Sequence, residues 1–197
     1  MSNDFNKHRG ELSRALQAHK YEVGDAGLFI PAMNAWAGTH LTIEHRRQGD
    51  LMERASGPNI LPLAARNDIV NVICHGLAPV TTWYCALFSG NVTPGDSLTA
   101  ATFPAVCTEF VAYDELTRPA WVEADAAAGA TDNSASRAQF TCNASGTIYG
   151  GGLFSSGAKG STNVADRMLG VSRAPLSKNV ADDDELLAKF TFSLTSA

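Results

Sequence analysis

The stretch Trp83–Trp121, WYCALFSGNVTPGDSLTAATFPAVCTEFVAYDELTRPAW, decides how the rest of the chain is read. Its first six residues, Trp83 to Phe88, are an apolar, aromatic-rich run bounded by turn residues, which is the pattern of a buried strand. Ser89-Gly90-Asn91 and Thr93-Pro94-Gly95-Asp96 supply turn chemistry. Gly tolerates positive φ, Pro fixes φ, and Asn and Asp side chains bond nearby amides. After a small-residue polar span, Cys107 to Tyr113 resumes a strand-like pattern. Asp114 to Pro119 makes a second charged loop, and Trp121-Val122 is apolar again.

On the C-terminal side, Glu123 to Asp132 is rich in Ala, Gly and Asp and reads as an exposed loop. Arg137 to Asn143 alternates, with Ala138, Phe140 and Cys142 on one side. Ser145-Gly146 turns the chain into a second strand starting at Thr147, so a hairpin is expected. Gly150, Gly151 and Gly152 inside that strand suggest a bulge or the close approach of another backbone. Residues 155–163 are a Ser/Gly loop, and Val164 to Val171 is compatible with strand or helix. Asp182-Asp183-Asp184 forms an acidic turn before Leu186 to Leu194, the cleanest alternation in the chain.

On the N-terminal side, Asn67-Asp68 can cap a helix through Ile69, Val70, Val72, Ile73 and Cys74, stopped by Gly76 and Pro79. One face of that helix is expected to be buried against the Trp83 strand. His40 to Arg46 alternates, Gln48-Gly49-Asp50 turns, and Leu51 to Ala55 returns until Ser56-Gly57-Pro58-Asn59 ends the run. This hairpin would hold Arg46, Arg47 and Arg54 outward, on a solvated face or against an acidic partner. Phe5, Leu12, Ala15, Leu16 and His19 give residues 5–20 a modest amphipathic helix pattern, stopped by Gly24 and Gly27. It is either a surface helix or an arm laid on a neighbouring subunit. Short strands with turns between them, and no regular βαβ alternation, predict a mainly β fold. The expected form is an antiparallel β-sandwich or jelly-roll-like domain over residues 37–197, with one or two helices and an N-terminal arm over residues 1–36.

Composition narrows the function. With 45% hydrophobic and 18% charged residues in 197, the chain can bury a core. Residues 1–82 hold eight basic and eight acidic residues, and residues 83–197 hold seven and twelve, so the net charge of −5 belongs to the second part. Phosphate backbones need clustered Lys and Arg, so no nucleic-acid partner is expected. The N-terminal residues lack an apolar run of signal-peptide length and nothing later approaches a membrane span, so no membrane partner is expected and synthesis in the cytoplasm is. Cys74, Cys85, Cys107 and Cys142 form no CxxC pair and read as buried free thiols.

No catalytic constellation is visible. Tyr149-Gly150-Gly151-Gly152-Leu153 is not followed by the Lys-Ser/Thr of a phosphate loop, and there is no GxSxG elbow. His40 and His45, five apart on a strand, fall on opposite faces and share no metal. Asp182 to Glu185 lack the spacing of a calcium loop. Asp114 and Glu115 are adjacent, so they cannot flank a glycosidic bond without a distant partner. The expectation is a non-enzyme with no cofactor and no metal.

The order of motifs is informative in another way. WYCALFSGNVTP, then TEFVAYDELTRPAWVEA, then NSASRAQFTCNASGTIYGGGLFSS resembles a group of small structural proteins of tailed bacteriophages. The matching residues are Trp83, Tyr84, Leu87, Phe88, Gly90, Asn91, Thr93 and Pro94, then Thr108, Glu109, Ala112 to Glu115 and Thr117 to Ala124, then Asp132 to Ala138 and Asn143 to Phe154. The resemblance runs from about Asp68 to the C-terminus and leaves residues 1–67 nearly untouched. It implies a capsid decoration (cement) protein on the virion surface, assembled in the host cytoplasm, with the major capsid protein as partner and self-association into a homo-oligomer. Phe5, Leu12, Leu16, Leu28, Phe29 and Trp36 would then anchor an arm on the capsid. Two alternatives stand beside it: a tail, collar or fibre component, and a host-surface carbohydrate-binding module stacking sugars on Trp83, Tyr113 or Trp121.

Overall fold

The computed structural model describes the backbone of residues 21–23, 29–31 and 35–196, and side chains from 37 to 194. Residues Ala37–Ser193 form one compact unit; Met1–Trp36 with Leu194–Ala197 form another. In the second, strands β1 (Tyr21–Val23) and β2 (Phe29–Pro31) pair antiparallel. The helix expected over residues 5–20 lies outside the described residues.

The larger unit is mainly β, as expected. Its strands are β3 (Ala35–Arg47), β4 (Asp50–Ile60), β5 (Trp83–Phe88), β6 (Glu109–Phe110), β7 (Ala120–Trp121), β8 (Ala130–Asp132), β9 (Ala138–Thr141), β10 (Gly150–Phe154), β11 (Met168–Arg173) and β12 (Glu185–Ser196). Helices are α1 (Leu63–Cys74) and the single turn α2 (Phe103–Val106). All ten strands belong to one curled antiparallel sheet, ordered β6-β5-β10-β11-β4-β3-β12-β8. The short strands come in tandem at its two ends: β6 and β7 both pair with β5, and β8 and β9 both pair with β12.

The curl is carried by β4. Its first part pairs with β3 as far as Pro58, and Asn59 and Ile60 pair with β11. Ser56 to Asn59 therefore does not end the strand but bends it from one half of the sheet to the other. Gly57 permits the bend, since a Cβ there would collide with the Arg173 carbonyl oxygen. The β3–β4 hairpin closes through Gln48 (φ 52°) and Gly49 (φ 85°), two consecutive positive φ values that match the right-handed twist of the strands.

The main core lies inside the curl, where Leu41 and Ile43 of β3 share one buried cluster with Cys85 and Leu87 of β5, Phe140 of β9, Leu153 of β10 and Phe190 of β12. Strand β5 is buried on both faces. Cys85 and Leu87 enter that cluster, while Ala86 and Phe88 enter a second one with Phe103, Cys107, Phe154 and Met168. This double burial explains why Trp83–Phe88 is a continuous apolar run rather than an alternating one.

Several expectations are corrected. The hairpin between residues 138–142 and 147–156 does not form: β9 pairs with β12, and β10 pairs with β5 and β11. The loop at Ser145-Gly146 carries the chain from one half of the sheet to the other, with Gly146 bridged to Val180. Strand character in Cys107–Tyr113 shrinks to Glu109–Phe110, because Phe103–Val106 is helical and Tyr113 bridges only to Cys142. The ambiguous segment Val164 to Val171 resolves as strand β11 from Met168. Helix α1 begins at Leu63, five residues before Asp68, and no side chain caps it. Gly76 ends it at φ 72°, and the Asn71 carbonyl accepts both the His75 N–H at 3.0 Å and, folding back, the Leu77 N–H at 3.1 Å.

Candidate interaction surface

Three polar clusters and one apolar face stand out. The first cluster is built on β3. Glu44, 1% exposed, is covered by three guanidiniums: Arg54 from the paired position of β4 at 2.5 Å, Arg137 at 2.6 Å and Arg46 at 3.1 Å. The Arg137 hydrogen bond, with those of Arg46 and Arg54, holds the Glu44 carboxyl down at about 2 against the burial that opposes it. Three positive charges on one carboxylate leave a net charge of +2 at the surface.

Beside it, Asp184 is buried at the start of β12. Arg47 donates to both of its carboxylate oxygens at 2.7 Å, His45 Nε2 lies 2.7 Å from Oδ2, and the Ala181 N–H donates at 2.7 Å. The Arg47 bond leads in holding the Asp184 carboxyl well below its ordinary range. Here the structure corrects two expectations. The three hairpin arginines are half-exposed, but they serve two different buried carboxylates rather than standing free. The acidic turn is not wholly solvated either: Asp182 and Asp183 are exposed, while Asp184 pins the hairpin.

The third cluster joins two of the resemblance motifs. Arg118, 1% exposed, donates through Nε and Nη2 to the two oxygens of Glu109 at 2.8 and 2.7 Å, and through Nη1 to the Ser156 carbonyl at 3.1 Å. Its guanidinium carbon lies 4.7 Å from the centroid of the Phe154 ring. The Gly160 N–H donates to Glu109, and Lys159 Nζ donates to the Tyr113 carbonyl at 2.7 Å. Both loops, 114–118 and 155–163, are thus fastened to one buried ion pair.

The carboxylates that might suggest catalysis are committed to structure. Asp114 accepts from Asn143 Nδ2, and Glu115 accepts from the Thr141 N–H and hydroxyl, each at 3.1 Å. No group of His, Cys, Asp and Glu among the described residues could hold a metal ion. The glycines of β10 answer to backbone approach, since a Cβ on Gly151 would lie 2.6 Å from the Ala86 carbonyl oxygen. Tyr113 and Trp121 are 1% and 5% exposed, so neither offers a stacking platform, and Trp83 is half-buried against the main core. The Trp121 indole N–H donates to the Phe190 carbonyl at 3.2 Å. His40 and His75 are exposed, and His45 is the buried partner of Asp184.

No protein-family model matches this chain, and no curated protein matches it.

The six arm residues fall differently. Phe5, Leu12, Leu16 and Leu28 lie outside the described residues, and Phe29 and Trp36 are placed only as backbone positions of β2 and β3. Helix α1 buries one apolar face, as expected, but carries apolar residues beyond it. Ala65 is buried and Ile69 and Val72 are half-buried, but Leu63, Val70, Ile73 and Cys74 are exposed. The signal is present in the sequence: Asn67, Asp68 and Asn71 share one side at 100° per residue, and the apolar residues occupy more of the remaining circumference than the buried side at Ala65 covers. Among the described residues, no helix is long and apolar enough to cross a membrane.

Proposed function

We propose that this chain is a virion structural protein of a tailed bacteriophage, a decoration or cement protein that binds the outer capsid lattice and stabilises the head. The resemblance carries the reading, and one observation strengthens it. Most of the residues that make the resemblance build one end of the fold, around β5; Asp132 to Ala138 lie at the other end, in and between β8 and β9. Trp83 pairs with Trp121 and Tyr84 with Ala120, while Tyr84 to Phe88 pair with Phe154 to Gly150. Glu109 and Arg118 close the buried ion pair between them. A shared pattern of this kind is a shared scaffold, not a shared ligand site. The function inferred from it is accordingly one of assembly.

In this reading the two halves of the curled sheet act as the layers of a sandwich, with Leu41 and Ile43 of one half meeting Cys85, Leu87 and Leu153 of the other. The partner is the major capsid protein, and the chain self-associates on the capsid surface after synthesis in the host cytoplasm. Residues 1–36 supply the arm, anchored by the six apolar residues named above. A protein that binds only the assembled lattice stabilises it by mass action, and many copies multiply the effect.

The test is copy number per purified virion, by quantitative mass spectrometry against the major capsid protein. A count on the order of hundreds fits a lattice-wide decoration protein; about three to twelve, the closed symmetries of tail parts, moves the assignment to tail or collar. Absence from the particle overturns both. Removing residues 1–20 should lower capsid occupancy while leaving the β unit folded, and unchanged occupancy rejects the arm.

A further inference from the structure

Three buried carboxylates of this fold are met by arginine, and one of them is met differently. Asp184 and Glu109 each take a single guanidinium, from Arg47 and Arg118, that bonds both carboxylate oxygens. A two-pronged pair of this kind satisfies a buried carboxylate and balances its charge. Glu44 instead takes three guanidiniums, through Nη2 of Arg46, Nη2 of Arg54 and Nη1 of Arg137. One arginine would balance it, so two positive charges are surplus to holding the strands together.

That surplus is compact and open to solvent. Arg54 and Arg137 lie on the same Glu44 oxygen and Arg46 on the other, which puts the three guanidiniums within one oxyanion's reach of one another. The arginine side chains are 36%, 57% and 32% exposed while the carboxylate between them is 2% exposed, so solvent meets the positive groups and not the negative one. Among the described residues, Arg54 and Arg137 bond no group besides Glu44. Arg46 adds only the Gly49 carbonyl at 3.4 Å, and its Nε is buried with no partner. Nearby acids are engaged elsewhere: Asp184 by Arg47 and His45, Asp132 by Lys189, Glu185 by the Gln139 amide, and Glu53 by the Ser177 and Lys178 N–H groups. Asp50 stands at the hairpin turn, in register with Arg47.

A local charge of +2 on converging guanidiniums matches a tetrahedral dianion, whose oxygens accept several charge-assisted bonds at once. A net charge of −5 over the whole chain disfavours a polynucleotide, which needs a longer basic track. We propose that Arg46, Arg54 and Arg137 form a binding site for a doubly charged tetrahedral oxyanion, inorganic phosphate or a phosphomonoester. Bound there, the anion ties β3 and β4 to the residue preceding β9 and stabilises the folded unit by mass action. The inference does not rest on the capsid reading, and copy number on the virion leaves it untouched.

The experiment is a titration of the isotope-labelled full chain with inorganic phosphate at about pH 8, where phosphate carries close to two charges. Chloride holds the ionic strength constant, and amide and arginine side-chain NMR shifts report binding. Glycerol 3-phosphate, sulfate and acetate are the other arms. Phosphate and sulfate should shift the resonances of Arg46, Arg54 and Arg137 saturably, and about tenfold more tightly than acetate. Glycerol 3-phosphate binding as well as phosphate assigns the site to phosphomonoesters; binding about tenfold more weakly assigns it to the free ion. Arg54→Gln leaves Glu44 two arginines, so the fold should stand, and phosphate should bind about tenfold more weakly. Arg137→Gln is the second variant should Arg54→Gln fold poorly, and the wild-type titration needs no variant. Arg66→Gln, which removes an exposed arginine paired with Asp96, should leave phosphate affinity unchanged. Shifts that do not saturate, acetate binding as tightly as phosphate, indifference of both triad variants, or an equal loss in Arg66→Gln would each overturn the site.

Discussion

Replacing Glu44 by Gln keeps the size of the side chain and one acceptor oxygen but removes the charge that three guanidiniums converge on. The carboxyl is held at about 2 in the folded protein against an ordinary value of 4.5, first by the Arg137 hydrogen bond. Each tenfold change in acidity corresponds to about 1.4 kcal/mol, so the charge contributes about 3 kcal/mol at pH 7. The folded value is depressed, so this contribution is fully present above 4.5 and is lost as pH falls through the folded value. By pH 3 it should have dropped to between about 1 and 2 kcal/mol. Urea unfolding of wild type and Glu44→Gln at pH 7 and pH 3 measures the difference directly. The expected result is a variant less stable by about 2–3 kcal/mol at pH 7, with the gap roughly halved at pH 3. A gap below about 0.5 kcal/mol at pH 7, the size of an ordinary exposed pair, would refute the argument that burial makes this cluster count. So would a gap that does not change with pH.

Arg118→Met should cost about 3–5 kcal/mol by leaving Glu109 buried and unpaired, whereas Glu109→Leu combined with Arg118→Met should cost less than either change alone; chemical denaturation of the three variants checks the order. Gly57→Ala drives a Cβ into the Arg173 carbonyl oxygen, so a loss of about 3 kcal/mol and a melting point roughly 6–12 °C lower are expected. Gly95→Ala, with nothing within 4 Å of the added carbon, should leave the melting point nearly unchanged as a control. One thiol, Cys74, should react promptly with an aromatic disulfide reagent in the native protein and all four after unfolding. Burial pushes Cys107 up to about 11 and Cys142 to about 12, so those thiols stay protonated. Prompt native reaction of two or more would contradict the packing.

How much was legible divides by range. The β3–β4 turn, the apolar run Trp83–Phe88 and the alternation of Leu186 to Leu194 are written in nearest-neighbour chemistry, and all three appear as strands or turns where the sequence places them. Gly57 is also visible in the sequence, but as an ending; its use as a bend depends on Arg173, a residue far along the chain. The same holds for the polar residues. Nothing local distinguishes Glu44 from Glu53, or Asp184 from Asp182, yet Glu44 and Asp184 are buried and Asp182 is not. Their partners Arg137, Arg47 and His45 come from distant parts of the chain, and only strand order brings them together.

The sequence by itself determined the class of fold, because period-two alternation, turn residues and a doubly apolar strand are properties of adjacent residues and their sterics. That α1 carries more apolar residues than one buried face needs is a sequence property as well. Only the tertiary structure decided that β9 joins β12 while β10 joins β5, that one strand bends to make a single curled sheet, and that the outward side of α1 is left bare. The physical reason is that an alternating strand specifies which side faces the core but not which neighbour it pairs with. That choice is made by long-range burial, where Phe140, Leu153 and Phe190 fill one cluster from three strands.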